Sequence, residues 1–331
     1  MLDAKEVKRI AKELGADLCG IASIDRYEGA PLQCDPKQIM PRAKSVVVFA
    51  NRINRGALRG IEEGTHFSTY ASMGYGAINT VYLPTFVIRF ARIFEDEGYE
   101  CVPLGYQCSF GNVIDNWALN EGFDPPENKV HRSKAVAPGR ARPDVQLHMR
   151  ISAYLAGLGE IGWSKVFLTP EFGPRQRFGC VITEMELEPD PIYDGPPLCN
   201  RCMACANDCP GNAISTTESV KVTLAGHEVE WGVNDPEKCL WGFRGAEKCK
   251  EGEKGHYIAG RDDFKPSPYT PFYQKPANVY THGEAICGGR GCMRACMIGL
   301  EERGVLKTKF KSAFRTEKPW LVDWSDYDAS K

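Results

Sequence analysis

A chain of 331 residues, 43% hydrophobic and 25% charged, has the composition of an ordinary folded protein and the length of about two domains. Its net charge of −2 supplies no general attraction to nucleic acid or to an anionic membrane. Its 14 cysteines are too sparse for a disulfide-built miniprotein, and their spacing points to a reducing compartment.

The N-terminal stretch, MLDAKEVKRIAKELGADL, is charged and periodic, with no apolar signal core and no twin arginine. No export signal is expected, and the expected location is cytoplasmic. No apolar run approaches the roughly 20 residues that span a bilayer, so no membrane partner is expected.

Val7, Ile10, Ala11 and Leu14 share one face of a helix over residues 4–14, with Gly15 as its stop. Residues 16–22 read as a short buried strand. Pro31, Pro36 and Pro41 mark a loop before residues 45–50 (SVVVFA), a strong strand. Residues 56–76 are rich in glycine and carry His66, Tyr70 and Tyr75, which fits either a surface loop or a pocket lining. The longest helical candidate is 78–97, with Val81, Phe86, Phe90 and Phe94 facing a core and Pro84 marking its start or a kink. A strand follows at 98–104, then a polar loop at 121–143 whose Arg132, Lys134, Arg140 and Arg142 form a solvated face.

Residues 145–155 (VQLHMRISAYL) read as a helix that runs into A-G-L-G-E-I-G, ending at Gly162. A strand and turn are expected at 166–170, a second turn at 171–175, and another strand at 177–183. Gly157, Gly159 and Gly162 let the backbone approach something closely. They do not follow a strand and open a helix, which rules out a dinucleotide-binding fingerprint.

The proline-rich run PDPIYDGPP at 189–197 marks a domain change, giving units 1–190 and 191–331. Directly after it stand Cys199, Cys202, Cys205, Cys209 and Pro210, in the spacing C-x2-C-x2-C-x3-C-P. Three cysteines at three-residue steps turn their sulfurs around one [4Fe-4S] cube, while the fourth, before a proline, points at a second cube. Structural zinc more often uses paired C-x2-C units. A second cube needs three more cysteines, and Cys287, Cys292 and Cys296 provide them. By this crossed pattern Cys199, Cys202, Cys205 and Cys296 hold one cube. Cys209, Cys287 and Cys292 hold the other, with Cys239 or Cys249 as fourth ligand. Cys239 is favoured because it follows Asp235-Pro-Glu-Lys. Residues 220–231 alternate around a turn and read as a hairpin inserted in the cluster domain.

Two features together resemble a family. One is A-G-L-G-x-x-G followed by L-T-P-E-F-G-P-R and a strand; the other is the downstream two-cluster module. Over residues 145–300 this is similar to the superfamily of epoxyqueuosine reductases and corrinoid-dependent reductive dehalogenases. The resemblance implies an α+β protein, with a nitroreductase-like α/β domain that binds base-off cobalamin, followed by a two-cluster ferredoxin-like domain. It implies corrinoid contacts at Gly157, Leu158, Gly159 and Gly162, and an adjoining turn at Thr169, Phe172, Gly173 and Arg175. Electrons would come from a soluble donor such as ferredoxin or flavodoxin. They would pass two cubes to cobalt, for reductive cleavage of a C–X or C–O bond in a small electrophilic substrate under anaerobic conditions. Candidate proton donors are Tyr70, Tyr75, Asp144 and His148. Two other readings stand beside this one: an electron-transfer protein without corrinoid, and a reductive activator of a partner corrinoid protein. The overall charge argues against a dedicated tRNA binder, although the tail is basic at Lys307, Lys309, Lys311 and Arg315.

Overall fold

A computed structural model describes residues 2–63, 66, 68–105, 136–137, 145–254, 263–266, 285, 287 and 290–314. Its centre is a four-stranded sheet of β1 (Leu18–Ser23), β2 (Ser45–Arg52), β3 (Cys101–Leu104) and β6 (Gln176–Thr183), in the order β1-β2-β6-β3 with every pair antiparallel. Val48 opposes Cys180, and Leu104 also opposes Cys180 from the other side. The chain's only strand proline among these four, Pro103, lies on the edge strand β3, where a missing N–H costs no inner ladder bond.

The sheet is covered on both faces. Val47, Phe49 and Val181 point to helices α1 (Ala4–Glu13) and α3 (Leu83–Glu95), while Val46, Val48 and Ile182 point to the helix Met149–Leu155. This two-sided burial explains why residues 46–49 carry no polar alternation. Helix α1 is capped by Asp3, whose carboxylate accepts the Glu6 N–H at 2.8 Å. Pro84 stands in the first turn of α3, where a proline is tolerated, directly after a π-helical segment that ends at Tyr82. Phe86, Phe90 and Phe94 are core, with the Phe86 ring 4.4 Å from that of Phe49. Val81 is not core: it is 54% exposed. It lies in a π-helix, Tyr70–Tyr82, whose wider turn breaks the α-helical phase that aligned it with the phenylalanines.

The expected hairpin is present and longer, as β7 (Ile214–Leu224) and β8 (His227–Asn234), turned at Ala225-Gly226 with positive φ at both residues. Its apolar side does not stay with the cysteine segment. Leu224, Val229 and Trp231 join the core beneath Val46 and Val48. The helix Cys292–Glu302 also crosses to the N-terminal half, where Met293, Met297 and Leu300 pack on Ile53, Leu58, Tyr70 and Tyr75. A buried ion pair fastens it: Arg294 Nε and Nη2 donate to the two oxygens of Glu62 at 2.5 and 3.2 Å. Among the described residues no helix is long and apolar enough to cross a membrane.

Candidate active site

A cavity opens between the π-helix, the N-terminal end of the Met149–Leu155 helix and the cysteine segments. In a π-helix the i→i+5 bonding brings residues five apart into line, so Tyr70 and Tyr75 share a face, with Asn79 one turn on. All three line the cavity, which makes residues 70–79 of the glycine-rich stretch a pocket wall. Arg177, at the start of β6, ties this wall together. Its Nη2 donates to Tyr70 Oη at 2.9 Å, its Nε donates to the Gly74 carbonyl at 3.3 Å, and its guanidinium lies 5.0 Å from the centre of the Tyr75 ring. Tyr70 Oη in turn donates toward Met293 Sδ at 3.6 Å. Burial pushes the Tyr70 phenol above its ordinary pKa, opposed by the Arg177 charge.

His148 also lines the cavity, but as the N-cap of its helix and not on an apolar helical face. The helix begins at Met149, four residues later than the pattern of residues 145–155 predicts. His148 Nδ1 accepts the Ile151 N–H at 3.3 Å, which leaves the ring proton on Nε2. Burial, then the charges of Arg150 and Lys165, hold the imidazole well below its ordinary pKa, so it is neutral at pH 7. The fourth candidate donor, Asp144, lies outside the described residues.

The cysteines fall into two sets. Cys199, Cys202, Cys205 and Cys296 line one recess, and Cys209, Cys239, Cys287 and Cys292 line the cavity that holds Tyr70 and Arg177. The tight winding of the first set uses left-handed residues at Arg201 (φ 54°) and Met203 (φ 59°), a conformation rare outside glycine that collects at functional sites. Backbone N–H groups point at the sulfurs: Trp163 N–H donates to Cys199 Sγ and Ala213 N–H to Cys209 Sγ, each at 3.4 Å. Burial, followed by their neighbouring sulfurs, pushes the thiols of Cys287, Cys292 and Cys296 upward. Cys239 is among the sulfurs acting on Cys287 and Cys292. Cys249 lines neither space; its N–H donates to the Asp263 carbonyl at 2.9 Å beside the strand pair Ala246–Lys248 and Phe264–Pro266. Among the described residues no group of three or more His, Cys, Asp or Glu is arranged around a single metal ion.

The glycine turn lies elsewhere. Gly157, with φ 74°, sits where a Cβ would be 2.0 Å from the Pro191 carbonyl oxygen. Gly159, with φ 151°, sits where a Cβ would be 2.0 Å from that of Leu168. These close approaches are to the protein's own backbone. Leu158 packs against the sheet core, and Gly162 borders the Cys199 recess. Thr169 and Gly173 pair across their turn, and a Cβ on Gly173 would meet Leu300 at 2.8 Å. Thr169 Oγ1 accepts the Phe172 N–H at 3.1 Å. Arg175 is 1% exposed, donates to the Ile53 carbonyl at 2.5 Å, and lies 5.2 Å from the Phe310 ring centre; it is neither a surface arginine nor a cavity wall. Apart from Gly162, none of these eight residues borders either cysteine space.

Sequence reading missed Arg177 and Asn79. Arg177 is one more polar residue at a strand end, and Asn79 stands in what reads as an α-helix. Only the approach of β6 to the π-helix gives them a site.

No family model matches the chain. A tetrachloroethene reductive dehalogenase of Desulfitobacterium hafniense is 36% identical over 257 residues, 71% of this chain and 41% of the relative. Among solved structures, a catabolic reductive dehalogenase covers 71% of this chain and 28% of its own, with 23% identity and a TM-score of 0.46. A selenomethionine-labelled epoxyqueuosine reductase covers 91% of this chain and 82% of its own, with 15% identity and a TM-score of 0.46. Over those 257 residues this chain is a sequence relative of the reductive dehalogenases. The relatives' names denote oxidoreductases. The chain spans about two fifths of the length of the dehalogenase it matches.

Proposed function

We propose that the protein is a corrinoid-dependent iron–sulfur reductase that cleaves a C–X or C–O bond in a small electrophilic substrate. One observation carries this reading: Cys209, Cys239, Cys287 and Cys292 line the same cavity as the Tyr70–Arg177 pair and His148. The donor sets fit iron–sulfur clusters, because thiolates are soft ligands and eight cysteines divide into two fours. Their buried thiols keep their protons until iron displaces them. The cavity that the second set of cysteines lines is open to solvent and mostly apolar, as a site for a large organic group must be. Its walls, including Gln146, Met149 and Phe178, would hold the corrinoid. When bound, the clusters and the corrinoid supply the electrons for bond cleavage.

The chain's own residues supply the proton and the surroundings. Tyr70 Oη is the proton-bearing atom best placed to act. Burial keeps the phenol protonated at neutral pH, and Arg177 Nη2 already donates to its oxygen. The same guanidinium would stabilise the phenolate left after transfer. Neutral His148 has no acidic proton to give at pH 7, so its role is to cap the helix and shape the wall. Phe243, edge-on to Tyr75 at 5.3 Å, helps keep water from the phenols. A soluble electron donor such as ferredoxin or flavodoxin would approach the Cys199 recess, where Cys202 is exposed.

The test is anaerobic reconstitution followed by metal analysis and visible spectroscopy. About eight irons per chain are expected from two cubes, together with stoichiometric uptake of cobalamin. Eight irons with no cobalamin uptake would sink the corrinoid reading and leave an electron-transfer protein. Uptake without turnover of any organohalide or epoxide would instead favour a reductive activator of a partner corrinoid protein.

A further inference from the structure

The π-helix wall holds a polar group that the proton chemistry does not use. Asn79 is 1% exposed, yet neither its carbonyl oxygen nor its amide nitrogen has a hydrogen-bond partner. Among the described residues it is the one buried carboxamide with both ends unpartnered. Because both are open, it does not matter which end is oxygen and which nitrogen. A buried amide left this way is costly, and native proteins rarely keep one without a reason. Asn79 lines the cavity, on the π-helical face it shares with Tyr70 and Tyr75. A second buried carboxamide on the same cavity, Asn234 at the end of β8, has an unpartnered Oδ1.

We infer that Asn79 is a recognition site for a primary carboxamide on the molecule that fills this cavity. Asn79 needs, side by side, a ligand acceptor for its N–H groups and a ligand donor for its oxygen. A primary carboxamide offers two donors and a carbonyl acceptor on one small planar group. A hydroxyl offers one donor, and a carboxylate, ester or halide offers none. The corrin rim carries primary carboxamides, and an amide-bearing substrate is the other source. The choice between these sources rests on the corrinoid reading above; the carboxamide preference does not.

The experiment uses the full chain with reconstituted clusters, as wild type, Asn79→Leu and Asn79→Ala. Two probes are titrated anaerobically: cob(II)alamin, followed by its visible spectrum, and benzamide, followed by calorimetry on the cobalamin-free protein. Asn79→Leu removes an unsatisfied amide at similar volume, so its melting temperature is expected to equal or exceed that of wild type. A roughly tenfold or greater loss of cobalamin affinity in both variants assigns Asn79 to the corrin rim. Unchanged cobalamin affinity with a similar loss for benzamide assigns it to the substrate. If wild type takes up no cobalamin, the corrinoid reading fails while the benzamide titration still decides the role of Asn79. Wild-type affinity for both probes in both variants overturns the inference, and so does failure of wild type to bind either probe.

Discussion

The Glu62–Arg294 pair offers the sharpest test of how the cysteine helix is held. Arg294 stands between Cys292 and Cys296, which border different spaces. Its side chain is 1% exposed and that of Glu62 is 2% exposed, with two hydrogen bonds of 2.5 and 3.2 Å between them. At that burial, replacing one partner removes a charge-assisted, desolvated contact, a loss of about 3–5 kcal/mol. Glu62→Gln keeps the shape and removes the charge, so it should cost about that much. Replacing both with apolar residues of similar volume, Glu62→Leu with Arg294→Met, should recover most of the loss, because the desolvation of both ions disappears with them. The assay is urea unfolding of the reconstituted chain, with iron content measured on the same samples. At a urea m-value of about 2–3 kcal/mol/M, the single change lowers the midpoint by at least about 1 M. A loss below about 1 kcal/mol in Glu62→Gln would refute the argument, since that is the scale of an exposed pair. A double variant no better than the single one would show that the pair positions the helix through its geometry and not merely through charge balance.

Four further outcomes are expected. Tyr70→Phe should lower turnover by about 10²–10⁴-fold with cluster content unchanged, if its Oη supplies the proton; equal rates with wild type would remove Tyr70 from the chemistry. Cys239→Ser should lose about half the iron and Cys249→Ser none, because only Cys239 borders the cavity, and metal analysis of the two variants separates them. For His148, the folded pKa is depressed, so its contribution is fully present above the unfolded value of about 6.5 and is lost as pH falls below it. Stability should therefore fall by up to about 1.4 kcal/mol per pH unit below that point, and His148→Asn, which keeps an N-cap, should flatten the slope in denaturant melts between pH 6.5 and 5. Gly159→Ala should destabilise by more than about 1 kcal/mol, since its φ of 151° and the Leu168 oxygen both oppose a Cβ. A neutral melting temperature would contradict the tight approach.

The elements legible in the sequence are those whose signal is local. The 7-10-11-14 stripe marks α1, the run 45–50 marks β2, and Pro84 falls in the first turn of α3. Ala225-Gly226 turns the hairpin because both residues adopt left-handed φ. The division of eight cysteines into two fours was also readable, since cluster ligation constrains spacing before it constrains tertiary structure. The glycine turn was legible only as a close approach of the backbone. Glycine reports a close approach without reporting what approaches, and here the neighbours of Gly157 and Gly159 are the carbonyls of Pro191 and Leu168.

What the sequence determined by itself is therefore the spacing of eight cysteines, next to a sheet and helices that could be placed by periodicity. Tertiary structure decided what shares a cavity with them. Tyr70, Asn79, His148 and Arg177 come from a π-helix, a helix N-cap and a strand end, and no spacing rule relates them. Arg177 meets Tyr70 where β6 approaches the π-helix, and the helix Cys292–Glu302 packs on residues 53–75 through its apolar face and the Glu62–Arg294 pair. That packing, a long-range burial of apolar surface and charge, brings the second cysteine set to the phenol it faces.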